Sequence, residues 1–456
     1  MEIKKTKKNR KKIEKNRKTK KNRKKIEKNR KTKKNRNKIV VHGKRLPKKN
    51  GWIRVKIDGN AFERGFAHGY LLSKELQEIK QDFGFILKSN GIFTSISNYE
   101  KYCKENITPK IQESSPEFFE EMQGISAGAI AYGNIDITFE FIVAWNALLS
   151  TYTIFPERCS AFISIQDGNI TMAHNTHTDY LTGQKGNIIM EICPSNGNRM
   201  IMQTYPGFIC SGTDWFIIEN GIIGCECTIG DINYTPKFGI PYFCRIRQAM
   251  QYGNSLDDYV KIMLEKNAGD YPCTWLLGDT LHKEIMQFEI GLKYHSVERK
   301  KEGVFYGMNS VHDKTIREKE TTDNNYGNTK TSSGARNMRL HYLLYEKYAE
   351  KMNIENAKKI ISDHYDVYLD RETDGNNRTI CKHINPDNNY PFGAIDGKIV
   401  DTNMAKKMTF LGRFGNSCGT DFNVRKYIEK YPKYKVWGKY LKNMPSRLWT
   451  ELKPIS

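Results

Sequence analysis

The sequence predicts an α+β chain: stacked β-sheets with helices outside, entered through a mostly helical segment and a disordered basic tail. Three observations carry this. Apolar residues recur at helical spacing through residues 51–150 after one short strand, "WIRVKI". From Cys159 the pattern changes to short apolar strands, and helical patterns then return. Two clusters of strands separated by helices bury one sheet on another and leave the helices on the outer faces. The third observation is segregated charge. Residues 1–50 carry 26 Lys/Arg against three Glu, which equals the net charge of +23 for the whole 456-residue chain. The remainder is neutral, so the basic character belongs to a tail and not to the body.

That tail repeats "KNRKKIEKNRKTK" with a period of 13, aligning Ile13, Ile26 and Ile39. One apolar residue per repeat builds no core, so residues 1–49 are expected to be disordered. Two readings stand: a basic arm for nucleic acid or an anionic membrane surface, or a repeat expansion without function. The tail holds no apolar segment of signal-peptide length, so no secretory signal is expected within it. No run of about 18 apolar residues occurs anywhere, so no membrane-spanning helix is expected.

Residues 50–158 read as a mostly helical segment packed on a core formed by 159–456. "DGNAFERGFAHGYLLSKELQEI" enters a helix with Phe66, Tyr70 and Leu71 on one face. Ser115-Pro116 starts a second helix at "SPEFFEEMQGISAGAIAYG". Downstream, "NIIMEIC", "RMIMQTY", "WFIIENGIIGCECTI", "TWLLGD" and "KEIMQFEI" read as strands, with Asn220-Gly221 as a hairpin turn. Helical patterns follow at 242–251, 255–266, 335–352 and 354–364. In the third of these, Ser332 or Ser333 is the expected cap. Arg336 then falls in the first turn, with Leu340, Leu343, Leu344 and Tyr348 forming the buried stripe. A cation there opposes the helix dipole, which leaves Arg336 either a surface residue or a functional one.

The chemistry concentrates in "ERCSAFISIQDGNITMAHNTHTDY". Asp167-Gly168 is a strong two-residue turn signal. With those residues as the turn, Gln166 pairs with Asn169, Ala161 with His174, and Cys159 with Thr176. His174 then lies diagonal to Cys159 on the same face, roughly 7–8 Å away. His177 has the opposite parity, and its direction is open. The hairpin brings a thiol and an imidazole to one sheet edge; a buried structural cysteine with two surface histidines fits the same pattern. The ten cysteines form no C-x-x-C pair, so zinc is not expected, and no cofactor or metal is assigned. Sequons at Asn106, Asn169, Asn233 and Asn377 do not fix a compartment.

The segment from Cys159 resembles the nucleophile segment of phospholipase B-like proteins, which runs Cys-Ser, a hairpin, then His-Asn-Thr-Trp. "TYPGFICSGTDWF", "ENGIIGCECTI", "NAGDYPCTWLLGD" and "FGAIDGKIVDT" match in order. "SSGARNMRL" and "RTICKH" are similar to the acyl-CoA:isopenicillin-N acyltransferase group, and "AFERGFAHGYLL" and "MQGISAGA" fit both. The resemblance covers about residues 52–425. It implies a four-layer αββα N-terminal-nucleophile (Ntn) hydrolase sandwich. It also implies self-cleavage at Arg158–Cys159, after which the free amine of Cys159 is the general base for its own thiol.

By the same resemblance the catalytic residues are Cys159, His174, Asn267 (oxyanion donor) and Arg336. The substrate pocket includes His177, where the group has Trp, together with Asp214 and Trp215. The implied reaction is hydrolysis of acyl ester or amide bonds of lipids through a Cys159 thioester. An amidase or acyltransferase acting on N-acylated amines or amino acids is the alternative. A catalytically inactive scaffold tethered by its basic tail is the alternative of another class. A papain-like Cys-His pair lacks its sequence context.

Overall fold

The computed structural model describes residues 39–456 except 90, 92, 94, 152–158, 238 and 384–390. The tail repeats and the bond at Arg158 therefore lie outside the described residues. Two large sheets organise the chain. The first has nine strands in the order Gly43–Arg45, Ile53–Gly59, Ile188–Pro194, Met200–Thr204, Trp215–Ile218, Ile222–Thr228, Cys273–Asp279, Glu284–Ile290, His295–Lys300. Its one parallel pairing joins Ile53–Gly59 to Ile188–Pro194. The second runs Gly303–Gly307, Cys159–Gln166, Asn169–Asp179, Asp396–Asp401, Phe410–Phe414, Thr450–Leu452, and Phe392–Ala394 pairs with the far end of Asn169–Asp179.

Strand alternation sets the core. Cys159, Ala161, Ile163 and Ile165 point to one face and meet Ile217, Ile223, Cys225 and Leu276 of the nine-stranded sheet. Phe162 and Ala173 point to the other face. There they pack with Leu340, Leu343, Leu344, Ala357 and Ile360 from helices Ser332–Tyr342 and Ile354–Ile361 and the turn between them. Tyr348 is half-buried beside this cluster. On the first sheet, helix Ala61–Leu71 packs against Ile53–Gly59, and Leu256–Leu264 packs against Cys273–Asp279 and Glu284–Ile290.

Two sequence boundaries move. The expected tail of residues 1–49 contains an ordered strand, Gly43–Arg45, and one compact unit begins at His42. Arg45 belongs to the basic run by composition, yet it forms a bidentate pair with Glu75 at 2.8 and 2.6 Å. Nor is residue 158/159 a seam in packing. Ile53–Gly59 lies inside the nine-stranded sheet, so the upstream segment is structural rather than an applied cover.

That segment is built around a close helix pair. In Ala61–Leu71, Gly65 and Gly69 face Gly124 and Gly128 of Pro116–Tyr132. A Cβ on Gly69 would lie 1.8 Å from the carbonyl oxygen of Ile125, and one on Gly128 would lie 2.0 Å from that of Phe66. Beside this contact the fully buried Glu121 accepts from Arg64 Nε at 2.7 Å and from Arg247 at 3.0 Å. Burial pushes its carboxyl up, but the Arg247 and Arg64 charges outweigh burial and hold it below the usual range. Helix Ala61–Leu71 also fixes the loop before Trp215. His68 Nε2 accepts from Gly207 N at 2.8 Å. Trp145 and Asn146, on helix Phe139–Asn146, donate to the carbonyls of Pro206 and Gly207 at 2.8 Å each.

Burial pushes the His68 imidazole down to about 4, with Glu121 opposing and Arg247 reinforcing that shift. Unfolded, it titrates near 6.5. The neutral ring therefore contributes stability that is complete above pH ~6.5 and is lost as pH falls towards about 4, roughly 3 kcal/mol in all. Equilibrium unfolding across pH 4–7 should show this fall, and His68→Gln should reduce its slope. An unchanged slope in the variant would refute the assignment.

Candidate active site

The hairpin folds in the register that Asp167-Gly168 requires. Gln166 pairs with Asn169, Ala161 with His174, and Cys159 with Thr176. Asp167 and Gly168 both take positive φ, 49° and 73°, as a primed turn demands. Cys159 is only 1% exposed. Its thiol, a ring nitrogen of His174 and a carboxylate oxygen of Asp214 all lie within 4.8 Å of one another. The His177 backbone amide donates to the thiol.

The strongest contacts fall on the backbone of Cys159. Its N–H donates to Asn309 Oδ1 at 3.2 Å. Its carbonyl accepts from Arg336 Nη1 at 2.5 Å. Arg336 also donates to Ser160 Oγ at 3.1 Å and to Asn309 Oδ1 at 2.9 Å. Asn309 is held by its own amide, which donates to the Thr228 carbonyl at 2.8 Å, and by a left-handed backbone at φ 81°. Guanidinium and amide thus form a fork closed around one residue.

Arg336 is fully buried, which removes the surface reading. Its helix begins one or two residues earlier than the Ser332 or Ser333 cap expected: Thr331 is the cap, accepting from Gly334 N at 3.3 Å. Arg336 therefore sits in the second turn, clear of the unfavourable dipole end.

A second layer joins the two sheets. Lys398 lies opposite His174 in register. Its Nζ donates to Thr176 Oγ1 at 2.7 Å and to the Thr213 carbonyl at 2.8 Å, and lies 3.2 Å from Asp396 Oδ1. Asp396 also accepts from Thr176 N and from Gln203 Nε2. Thr213 and Gln203 belong to the nine-stranded side, so this buried pair pins that side to the hairpin. His174 Nε2 lies 2.9 Å from the Glu226 carbonyl. A carbonyl only accepts, so Nε2 carries the proton and Nδ1 keeps its lone pair.

The electrostatics leave the thiol and both imidazoles neutral. Burial pushes the Cys159 thiol well up, and the Asp214 and Glu226 carboxylates add to it; the His177 amide and Lys398 only partly oppose them. Burial drives His174 well below its ordinary range, with Lys398 assisting. His177 is driven down in the same way, by burial first and then by Arg336 and Lys382. The intact chain thus presents a protonated thiol beside the neutral His174 imidazole. An imidazole–thiolate ion pair is not what this environment favours.

Three expected residues land elsewhere or differently. Asn267 is committed to its own loop: Nδ2 donates to the carbonyls of Gly291 and Leu292 at 2.7 and 3.3 Å, and Oδ1 accepts from Gly269 N. Asn309 is the amide at Cys159. Trp215 is a core residue between the sheets, its ring 5.6 Å from that of Phe410, and not a pocket wall. The His177 ring is buried near Arg336, Lys382 and Ile380, on a strand end that pairs with Ala394. Asp214, with φ 59°, does reach Cys159. The absence of C-x-x-C rules out only a knuckle, because His364, Cys381, His383 and Cys418 also converge in space.

No protein-family model matches the chain. A protein of Archaeoglobus fulgidus described as uncharacterized is 24% identical over 257 residues, 52% of this chain and 42% of that protein. Putative phospholipase B-like 2 of Rattus norvegicus is 30% identical over 139 residues, 26% and 24% of the two chains. Phospholipase B-like 1 of Bos taurus is 21% identical over 264 residues, 48% of each. The chain is a weak and partial homologue of phospholipase B-like proteins, and each of these matches spans less than half of the relative's length. Among solved structures, a mutant conjugated bile acid hydrolase from Clostridium perfringens aligns with a TM-score of 0.33 at 8% identity, covering 65% of this chain and 97% of that one.

A buried, protonated thiol alkylates slowly. In the intact folded chain Cys159 should react with iodoacetamide about 100-fold more slowly than in the denatured chain. Peptide mass mapping reads this directly; equal rates would mean that the site is open.

Proposed function

We propose that the chain is a cysteine hydrolase of the N-terminal-nucleophile type, with an αββα core, that becomes active by cutting itself at Arg158–Cys159. The observation that supports this most is the placement of hydrogen bonds on both sides of the Cys159 backbone. A thiol activated by histidine alone needs no grip on its own peptide nitrogen. A residue whose nitrogen must become a positioned amine does.

In the cleavage step the Cys159 sulfur adds to the Arg158 carbonyl carbon. The thiol proton passes to the departing nitrogen, and the C–N bond breaks. Water then hydrolyses the resulting thioester, leaving a carboxylate on Arg158 and a free amine on Cys159. That amine has an ordinary pKa near 8 and can take the thiol proton near neutrality. It replaces the base that the neutral, buried imidazoles do not supply.

In turnover, the Cys159 sulfur attacks the acyl carbonyl and the amine passes its proton to the leaving oxygen or nitrogen. Water then releases the acid from the thioester. Asn309, whose Oδ1 accepts from the Cys159 nitrogen, steadies the amine. Arg336 fixes the Cys159 carbonyl, His174 holds its neighbourhood, and Asp214 borders the acyl group. The substrate class is an acyl ester or amide of a lipid; the partial homology to phospholipase B-like proteins is its support. Residues 1–41 act as an electrostatic tether to an anionic surface. Their deletion should abolish salt-sensitive vesicle or nucleic-acid binding and leave hydrolysis intact, whereas binding that survives would place the basic site in the body.

Intact mass and N-terminal sequencing after incubation from acidic to neutral pH test the cleavage. Wild type should yield a chain beginning at Cys159, and Cys159→Ala should stay whole. Asn309→Ala should lower turnover of a pre-cut enzyme by about 100-fold, because the amine that serves as base loses its acceptor. Wild-type protein that remains uncut yet hydrolyses phospholipids, N-acyl amino acids or ceramide-like amides would overturn the mechanism.

A further inference from the structure

Away from Cys159, three loops bring two imidazoles and two thiols to one point. His364 follows helix Ile354–Ile361, Cys381 and His383 come from "TICKH", and Cys418 follows strand Phe410–Phe414. One ligand atom from each lies within 4.8 Å of all the others. His364 Nε2 and His383 Nε2 are 3.1 Å apart, and Cys418 Sγ is 3.7 Å from His383 Nε2. Around a tetrahedral zinc ion with bonds of about 2.1 Å to nitrogen and about 2.3 Å to sulfur, neighbouring ligand atoms stand roughly 3.4–3.8 Å apart. The His364–His383 and Cys418–His383 separations lie within a few tenths of an ångström of that geometry, and Cys381 Sγ is within 4.8 Å of all three. We propose that His364, Cys381, His383 and Cys418 form a structural zinc site.

The donor set points to the metal class. Two thiolates with two imidazoles suit zinc, while a donor set without a carboxylate gives little to magnesium or calcium. Polar groups around the ligands suit thiolate sulfur. Thr420 N donates to Cys418 Sγ at 3.4 Å, and Ser417 Oγ lies 3.1 Å from Cys381 Sγ. Such donors offset negative charge on coordinating sulfur. Backbone bonds hold the loops before any ion arrives: Cys381 N to the Asp363 carbonyl, and His383 N to the Gly375 carbonyl, each at 3.0 Å. Cys381 and His383 are buried and His364 and Cys418 half-buried, and His364 and His383 border a cleft of about 400 Å³ that gives the ion a path.

Four protein ligands leave no open position, so this site serves structure and not hydrolysis. Its neighbours show what it would brace. Asn175, on the outer face of the Cys159 hairpin, donates to the carbonyls of Ile361 and Ile380 at 2.6 and 3.3 Å. Lys382 Nζ lies 3.3 Å from Ser332 Oγ, at the start of the Arg336 helix. The ion would staple the loops that carry Ile380 and Lys382 against the candidate active site.

The full chain, purified without chelator, should carry about one zinc per molecule by elemental analysis. Cobalt(II) titration of metal-stripped wild type should give tetrahedral d–d bands with thiolate-to-cobalt charge transfer, a readout that requires no variant. Cys418→Ser should lose that charge-transfer intensity and lower zinc retention against a weak chelator at least about 10-fold. Cys159→Ala should retain both, which separates this site from the thiol at Cys159. Failure of wild type to bind either metal would overturn the proposal. So would octahedral cobalt spectra, undiminished binding by Cys418→Ser, or a Cys381–Cys418 disulfide in peptide maps of protein kept under reducing conditions.

Discussion

The closed fork of Arg336 and Asn309 around Cys159 is the constraint on which the rest of this structure depends. A fully buried guanidinium carries its charge at a large desolvation cost unless its donors are met. Here the Cys159 carbonyl, Ser160 Oγ and Asn309 Oδ1 meet them. The hairpin must therefore end where it does. A slip of one residue would turn Cys159 to the outer face and present the wrong carbonyl. Helix Ser332–Tyr342 must arrive with its second turn over the strand end, and the loop after Gly303–Gly307 must bend left-handed at Asn309. Three segments distant in sequence are thus fixed by one side chain.

The parts read correctly from the sequence are those that short-range physics decides. Asp167-Gly168 dictates a turn, the turn dictates the register, and the register delivers His174 to the Cys159 face. Helices with strong punctuation, such as the one opened by Ser115-Pro116, fall where expected. What escaped notice depends on contacts across the fold. Asn309 in "GMNSVH" resembles any polar residue after a strand, and it reaches Cys159 only because strand Gly303–Gly307 pairs with Cys159–Gln166. Lys398 interrupts an apolar strand in "IDGKIVD". A lysine facing inward there was a usable signal of a buried partner, but nothing local names Asp396, Thr213 and Gln203 as its surroundings. Asn267 attracted attention through resemblance alone, and its amide is spent on a loop. The Cys2His2 cluster was invisible because its ligands come from three separate loops.

The upstream segment acquires a different meaning from the topology. Its strand Ile53–Gly59 is flanked by pairings on both edges, so it cannot leave without opening the sheet. Its helix Ala61–Leu71 is locked to Pro116–Tyr132 by glycine contacts too close for any side chain. Through His68, Trp145 and Asn146 the same segment sets the loop that ends in Thr213 and Asp214. On the proposed chemistry, cutting at Arg158 would therefore give two chains that remain one folded body. The new terminus would be freed without loss of the residues that hold the site.

The charges around Cys159 pull in opposite directions, and their balance bears on timing. Asp214 and Glu226 oppose the thiolate, while Lys398 and the His177 amide favour it. Lys398 is itself tied to Asp396, so part of its field is already neutralised before it reaches the sulfur. Burial then decides the outcome, and the thiol stays protonated. A free amine on Cys159 would change that balance from within the residue, adding a proton acceptor bonded two atoms from Cβ. No rearrangement of the carboxylates or imidazoles is required. On the proposed chemistry, the same low-dielectric enclosure that keeps the intact thiol quiet would then strengthen each hydrogen bond made to the developing charge, so that one set of fixed dipoles would serve both the uncut and the cut chain.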